Sequence, residues 1–230
     1  MLNSIYILIP VYNEEKKIKS VVTELSSVFE NIVTVNDGSS DSTKEILESL
    51  DVITLNHSIN LGQGAAISTG FKYIQGLKDA FAVVTFDADG QHSVDDAKAF
   101  AEEILSCEEE IIFGTRFVDS AANIPFIKKI VLSIVVFFTN RFSRITLSDA
   151  HNGLKAIKKN CLSKIDIDID GFGFESQIIH QVSKKRITFK EMPTNTTYTS
   201  YSKNKGQKLI NGFLILEDLL KSRSKKWFLR

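Results

Sequence analysis

Phe81-Ala-Val-Val-Thr-Phe86-Asp-Ala-Asp-Gly-Gln-His92 decides the fold: an unbroken apolar run, two carboxylates one residue apart, then glycine, glutamine and histidine. An apolar run without alternation reads as a strand buried on both faces, the habit of parallel sheets. Similar runs lie on either side of it. Ser4-Ile-Tyr-Ile-Leu-Ile-Pro10 is one, ended by proline, and Ile32 to Asn36, Val52 to Asn56 and Glu110 to Phe113 are others. Between them lie helical patterns. Ile18, Val21, Val22, Leu25 and Phe29 recur at helical spacing within Glu14 to Phe29. Asp41-Ser-Thr opens a helix toward Leu50 with capping residues, and Gly64 to Ile74 and Val94 to Leu105 complete the set. Strand and helix alternate five times, so the expected fold is α/β with a doubly wound, mostly parallel sheet flanked by helices.

Such sheets bind ligands beyond the carboxyl ends of their strands. The polar motifs fall there: Asn13-Glu14, Asp37-Gly38, Asn60-Leu-Gly62, Asp87-Ala-Asp89 and Gly114-Thr-Arg116 follow the five strands in order. One cleft is being assembled. After Arg116 the rhythm breaks. The pattern predicts a helix over 126–142, a strand over 153–157, a helix over 174–183 and a strand over 188–192. A polar stretch over 195–206 and an amphipathic helix marked by Leu209, Phe213, Leu216 and Leu220 follow. With no linker or internal repeat, residues 1–230 are expected to form one domain, divided into 1–116, 117–206 and a basic amphipathic end over 207–230.

The composition fits a packed globular chain: 230 residues, 43% hydrophobic and 24% charged. Cys107 and Cys161 lie in no CxxC pattern, which excludes a disulfide scaffold or structural zinc site and favours a reducing compartment. Met1-Leu-Asn-Ser runs into a strand without a basic n-region, so no signal peptide is expected. The longest apolar run, Ile130 to Phe138, falls short of the ~20 residues that span a bilayer. A net charge of zero hides an asymmetry: residues 1–183 hold 16 basic against 25 acidic side chains, and residues 184–230 hold 12 against 3. An anionic membrane, a phosphorylated substrate or nucleic acid would each suit the basic end, and composition does not choose among them.

Each motif also has a plainer reading. Asp87 and Asp89 at a strand end suit a hard divalent cation, with Gln91 and His92 in reach; an isolated Asp-x-Asp is more often a solvated turn. Asp37-Gly-Ser-Ser-Asp-Ser-Thr43 offers a carboxylate to a base or ribose, or is simply a helix-capping turn. Asn60-Leu-Gly-Gln-Gly opens a helix where a diphosphate would sit, but it is neither a dinucleotide fingerprint nor a P-loop. Arg116 brings a cation to the cleft or makes a surface ion pair. The four histidines lack zinc-ligand spacing, and His57 and His180 read as structural or exposed.

Together, Ile9-Pro-Val-Tyr-Asn-Glu-Glu15, Val35-Asn-Asp-Gly-Ser-Ser-Asp-Ser-Thr43, Asn60-Leu-Gly-Gln-Gly-Ala-Ala, Phe86-Asp-Ala-Asp-Gly-Gln-His92 and Gly114-Thr-Arg116 resemble glycosyltransferase family 2. The closer likeness is to its dolichyl- or polyprenyl-phosphate sugar synthase branch, over roughly residues 4–210. The resemblance implies a GT-A fold, with 1–116 binding the nucleotide sugar and 117–206 the acceptor. It implies that Pro10, Tyr12 and Glu14 line the nucleotide pocket and that Asp37, beside Gly38, contacts the base. Asn60 and Gly62 belong to the diphosphate loop. Asp87 touches ribose or diphosphate and, with Asp89 and Gln91, holds Mg²⁺ or Mn²⁺. Arg116 faces the acceptor. Ser148-Asp-Ala-His-Asn-Gly-Leu-Lys155 matches the family's Asp-x-x-x-Gly-Phe-Arg segment, with lysine for arginine, and Lys203 and Lys205 lie in a late segment that closes over the phosphates. The sequence departs from the pattern at Gln63, where many members carry a cation, and at Phe126-Ile-Lys-Lys129, where lipid-phosphate enzymes commonly carry arginine.

The expected reaction is metal-dependent inverting transfer from a UDP- or GDP-linked sugar. A lipid-phosphate acceptor needs cations, Arg116 and Lys155. A glycan hydroxyl, as in capsule, O-antigen or glycoprotein synthesis, needs a base, with Asp149 the candidate and Glu175 behind it; the plainer reading of Asp149 is a structural salt bridge to Arg116 or Lys155. A non-catalytic nucleotide-sugar-binding protein is the third alternative. Nucleic acid is not an expected partner. The expected place is the cytoplasmic membrane face, reached through the basic end or through a membrane partner subunit.

Overall fold

The computed structural model describes residues 2–116, 136, 140–141, 145–149, 152–171 and 173–195. Among these, one sheet is built from β1 (Ile5–Val11), β2 (Asn31–Asp37), β3 (Ile53–His57), β4 (Ala82–Thr85), β5 (Ile111–Thr115), β6 (Lys155–Lys158) and β7 (Phe189–Pro193). The helices are α1 (Ile18–Ser26), α2 (Thr43–Glu48), α3 (Gln63–Gly76), α4 (Val94–Ser106), α5 (Lys159–Leu162) and α6 (Phe174–Lys184).

The apolar runs become strands because both of their faces are covered. In β1, Tyr6 and Leu8 share a core with Ile67, Phe71 and Ile74 of α3. Its alternate residues Ile5, Ile7 and Ile9 share the opposite core with Val22 and Leu25 of α1 and Phe100 of α4. A period of two thus feeds two helical layers. Gly70 lets α3 close onto β1, since a Cβ there would lie 2.2 Å from Leu8 Cδ1. Helix α4 begins at Ser93, whose hydroxyl accepts from the Asp96 amide at 3.0 Å and satisfies one of the orphan donors of the first turn.

The strand order is β3-β2-β1-β4-β6-β5-β7. Strand β1 pairs in parallel with β2 on one side and β4 on the other, so a topological switch crevice opens at their carboxyl ends. Strand β6 runs antiparallel between β4 and β5, and β7 pairs in parallel with β5. The expected strands over 153–157 and 188–192 and the helix over 174–183 appear within two residues of those positions. Most of the expected 126–142 helix, and all of the 207–220 helix, lie outside the described residues. Among the described residues, no helix is long and apolar enough to cross a membrane.

Candidate active site

The loops after β1 and β2 are laced together. Asn13, with φ of 52°, donates its amide to Ser39 Oγ at 3.0 Å and accepts from the Ser40 amide at 2.8 Å. The Glu14 amide donates to Thr43 Oγ1 at 2.8 Å, and Glu14 is buried. Tyr12 stands out at the rim, 45% exposed. Pro10 lies deeper and lines, with Gln63, Thr85 and Asp87, a small cavity under the sheet edge.

Asp37 is held by the loop that follows β3. Expected to meet a base, it is 3% exposed and its carboxylate is engaged by the chain itself. Oδ1 accepts from the Leu61 amide at 2.9 Å and meets His57 Nδ1 at 2.7 Å, while Oδ2 accepts from the Gly62 amide at 2.8 Å. His57 reaches Thr69 Oγ1 with its other nitrogen at 2.9 Å, so it ties β3 to α3, in keeping with a structural histidine. Asp37 therefore shapes the Asn60–Gly62 loop. Gly38, with φ of 65°, is needed because a Cβ would strike the Ile59 carbonyl carbon at 2.3 Å. Gly62, with φ of 102°, packs against the Asp170 carbonyl, and Asn60 is exposed.

Asp87, Asp89 and Gln91 gather at the end of β4. His92, buried against Phe86, meets Asp87 Oδ2 with Nε2 at 3.1 Å. Burial opposes ionisation of Asp87, but His92, Lys155 and Arg116 outweigh it and hold the carboxyl below its ordinary range. Asp89 goes the other way: burial and the Asp87 charge push it up, against hydrogen bonds from Gln91. Two carboxylates crowded so closely are a donor set that a hard dication would relieve. Among the described residues no three His, Cys, Asp or Glu side chains form a cage. Few protein ligands with the remainder supplied by substrate phosphates is the habit of Mg²⁺ sites, so these residues fit the expected cation.

Arg116, at the end of β5, is clamped by Asp149. Nε donates to Oδ2 at 2.6 Å, Nη2 to Oδ1 at 2.8 Å and the Arg116 amide to Oδ2 at 3.2 Å. Arg116 is 7% exposed and Asp149 1%. Of the two readings of Asp149, a base or a salt bridge, this geometry is the salt bridge to Arg116, and both of its oxygens meet the guanidinium. Lys155 lines the same small cavity as Pro10 and Asp87, buried at the start of β6, where Nζ donates to the Asn152 carbonyl and lies 2.6 Å from Glu175 Oε2. Burial pushes Glu175 up against the pull of Lys155. Lys203 and Lys205 lie outside the described residues.

Two residues that sequence reasoning passed over shape the site. Thr85 Oγ1 donates to the Gly153 carbonyl at 2.6 Å and accepts from the Lys155 amide at 3.2 Å, pinning the turn before β6 to the strand that carries Asp87. Glu191 of β7 accepts from the Ser148 amide at 2.9 Å, from the Ser148 hydroxyl at 2.8 Å and from the Asp149 amide at 3.4 Å. A polar residue ending the apolar run Ala82-Val-Val-Thr85, and an acid within the last strand, were the available signals.

The family model described as Glycosyl transferase family 2 matches residues 6–166, spanning β1 through β6 and including Asp37, Asp87, Asp89, Gln91, Arg116, Asp149 and Lys155. The chain belongs to this family and is a glycosyltransferase. A Methanococcus voltae family relative, UDP-N-acetylglucosamine–dolichyl-phosphate N-acetylglucosaminyltransferase, is 33% identical over 94% of this chain and 94% of its own. An uncharacterised Methanocaldococcus jannaschii protein is 34% identical over 95% and 91%. Among solved structures, Mycobacterium tuberculosis glucosyl-3-phosphoglycerate synthase, bound to Mn²⁺, UDP and phosphoglyceric acid, superposes with a TM-score of 0.70 at 14% identity, covering 95% of this chain and 78% of that one. The shared architecture is the GT-A fold of family 2, and the mixed sheet with its one antiparallel insertion is its form here.

Proposed function

We propose that this family 2 enzyme moves a sugar, with inversion, from a UDP-linked donor to a polyprenyl phosphate at a membrane face. The observation that carries the reading is the clamped pair: Arg116 is a fixed cation at the cleft, and Asp149 is too engaged with it to serve as a base. An acceptor that is already an anion needs no proton removed, so a cation is what the site must supply. The M. voltae relative, whose name specifies a UDP-sugar and dolichyl phosphate, supports the same acceptor class.

In this scheme an acceptor phosphate oxygen attacks the anomeric carbon from the face opposite the donor diphosphate. The new C–O bond forms as the old one breaks, and the nucleoside diphosphate leaves with the electron pair. Arg116 steadies the attacking phosphate. Asp87, Asp89 and Gln91 would hold the cation, and the Asn60–Gly62 loop shaped by Asp37 would form the diphosphate side of the cleft. A divalent cation bound there supplies Lewis-acid stabilisation of the charge on the leaving group. Tyr12 at the rim and Pro10 at the floor line the nucleotide side. The acceptor's lipid tail requires a bilayer, and the basic end over 221–230 supplies charge suited to an anionic leaflet.

The test is product formation from purified enzyme, Mn²⁺ and labelled UDP-sugars, offered polyprenyl phosphate in parallel with the free polyprenol. Transfer to the phosphate alone is expected. Equal transfer to the alcohol, or transfer to neither, rejects the reading.

A further inference from the structure

Lys155 and Glu175 form a buried ion pair, and its surroundings give it a use. Lys155 is 3% and Glu175 8% exposed, and they come from different elements, β6 and the first turn of α6. The pair lines the same small cavity as Asp87 and Gly153. Lys155 Nζ donates to the Asn152 carbonyl, at the head of the turn that carries Gly153. Gly153 abuts the Asp87 carboxylate so closely that a Cβ would fall 2.1 Å from Oδ2 and 2.6 Å from Oδ1. Thr85 holds that turn from the β4 side through two hydrogen bonds, and the Lys155–Glu175 pair holds it from the α6 side.

The charges matter as much as the contacts. The Lys155 charge favours the ionised form of Asp87, and the Asp87 charge opposes ionisation of Glu175. Without Glu175, Lys155 becomes a buried cation whose nearby countercharge is Asp87, and it would compete with a metal ion for that carboxylate. Without Lys155, Glu175 becomes an unpaired buried carboxyl beside an already crowded acidic pair. Removing both leaves no uncompensated charge.

We propose that the Lys155–Glu175 pair positions Asp87 for the divalent cation, holding the Gly153 turn against its carboxylate and keeping the local charge balanced. This rests on the reading of Asp87 and Asp89 as the cation site. Both residues are positioning residues, acting through Gly153 and Asp87.

The test is Mn²⁺ binding to the full chain in excess UDP, read by loss of the free-ion electron paramagnetic resonance signal, with the thermal midpoint measured alongside. Glu175→Gln and Lys155→Met are each expected to lose about tenfold in Mn²⁺ affinity, the lower end for an outer-shell partner. The double variant regains most of it, a coupling only interacting residues show. If a single variant fails to fold, Lys155→Arg and Glu175→Asp carry the test. The arginine variant keeps wild-type affinity, and the shortened acid loses it. Single variants that bind Mn²⁺ like the wild type overturn the proposal, as does a double variant that is additively worse. A wild-type chain that binds no Mn²⁺ with UDP overturns the cation site and the pair together.

Discussion

Gly153 stands face to face with Asp87, and nothing larger than hydrogen fits between them: a Cβ at 153 would lie 2.1 Å from Oδ2 and 2.5 Å from Cγ. The glycine sits at the turn into β6, the antiparallel strand beside β4, so the site's first carboxylate is backed by a chain segment 66 residues further on. Gly153→Ala is expected to push Asp87 out of place. The transfer rate should fall by about 10–100-fold, the range for disturbed outer-shell support of a metal ligand, with most of the loss recovered at raised Mn²⁺. A variant with normal activity at low Mn²⁺ would show that Asp87 does not need this backing.

The clamp between Arg116 and Asp149 separates two kinds of acceptor chemistry. Asp149→Asn replaces one of the two carboxylate oxygens that meet the buried guanidinium by a donor, and breaking a buried pair costs about 3–5 kcal/mol when a partner is removed outright. A lowered thermal midpoint together with a raised KM for the lipid phosphate is expected. Arg116→Lys should raise the same KM while leaving the donor KM alone, because an ammonium cannot reproduce the two-pronged geometry. Loss of kcat in Asp149→Asn at unchanged stability and unchanged acceptor KM would instead mark Asp149 as a base.

The cysteines give a readout of folding. Burial pushes the Cys161 thiol up to about 12. Its thiolate fraction at pH 8 is then on the order of 10⁻⁴, and the thiolate is the species that alkylates. Cys161 should resist iodoacetamide in the native chain and react once the chain is unfolded in urea. The linkage has a definite sign. The folded pKa lies above the ordinary 9.0, so this group's contribution is present below about pH 9 and fades as pH climbs toward 12, where the unfolded chain ionises first. Rapid native-state labelling of Cys161, followed by peptide mass analysis, would contradict its burial.

How much of this was legible beforehand depended on distance along the chain. Ile5 to Val11 and Ala82 to Thr85 announce buried strands because burial on both faces leaves no polar alternation, and Asp87, Asp89 and Arg116 fall at strand ends, where parallel sheets place ligands. Asp37 was legible as a residue of the cleft but not as one turned inward, because its partners, the amides of Leu61 and Gly62, are fixed by the path of a loop two dozen residues later. The partner of Lys155 was hidden for a similar reason. A lysine opening a strand reads as reaching outward, and its burial becomes visible only when α6 brings Glu175 beside it. Nothing local to β6 reveals that it runs antiparallel between β4 and β5, since a strand's own pattern does not name its neighbours.

The basic end of the chain bears on where the enzyme meets its acceptor. Lys221-Ser-Arg-Ser-Lys-Lys-Trp-Phe-Leu-Arg230 sets five cations beside Trp227, Phe228 and Leu229. Each cation near an anionic leaflet contributes about 1 kcal/mol, and aromatic side chains favour the interface, so together they suit surface attachment rather than a span. Truncation after residue 220 is therefore expected to abolish salt-sensitive co-sedimentation with phosphatidylserine-containing liposomes. It should raise the KM for polyprenyl phosphate presented in those liposomes, and leave activity toward a short-chain, water-soluble acceptor unchanged, because the cleft residues lie elsewhere in the chain. Screening shortens the reach of these charges to about 8 Å at physiological salt, so full-length binding should weaken steeply between low and physiological ionic strength. Liposome binding that survives the truncation would assign attachment to another part of the molecule. Activity lost equally on the soluble acceptor would show that the segment serves the cleft itself rather than the membrane.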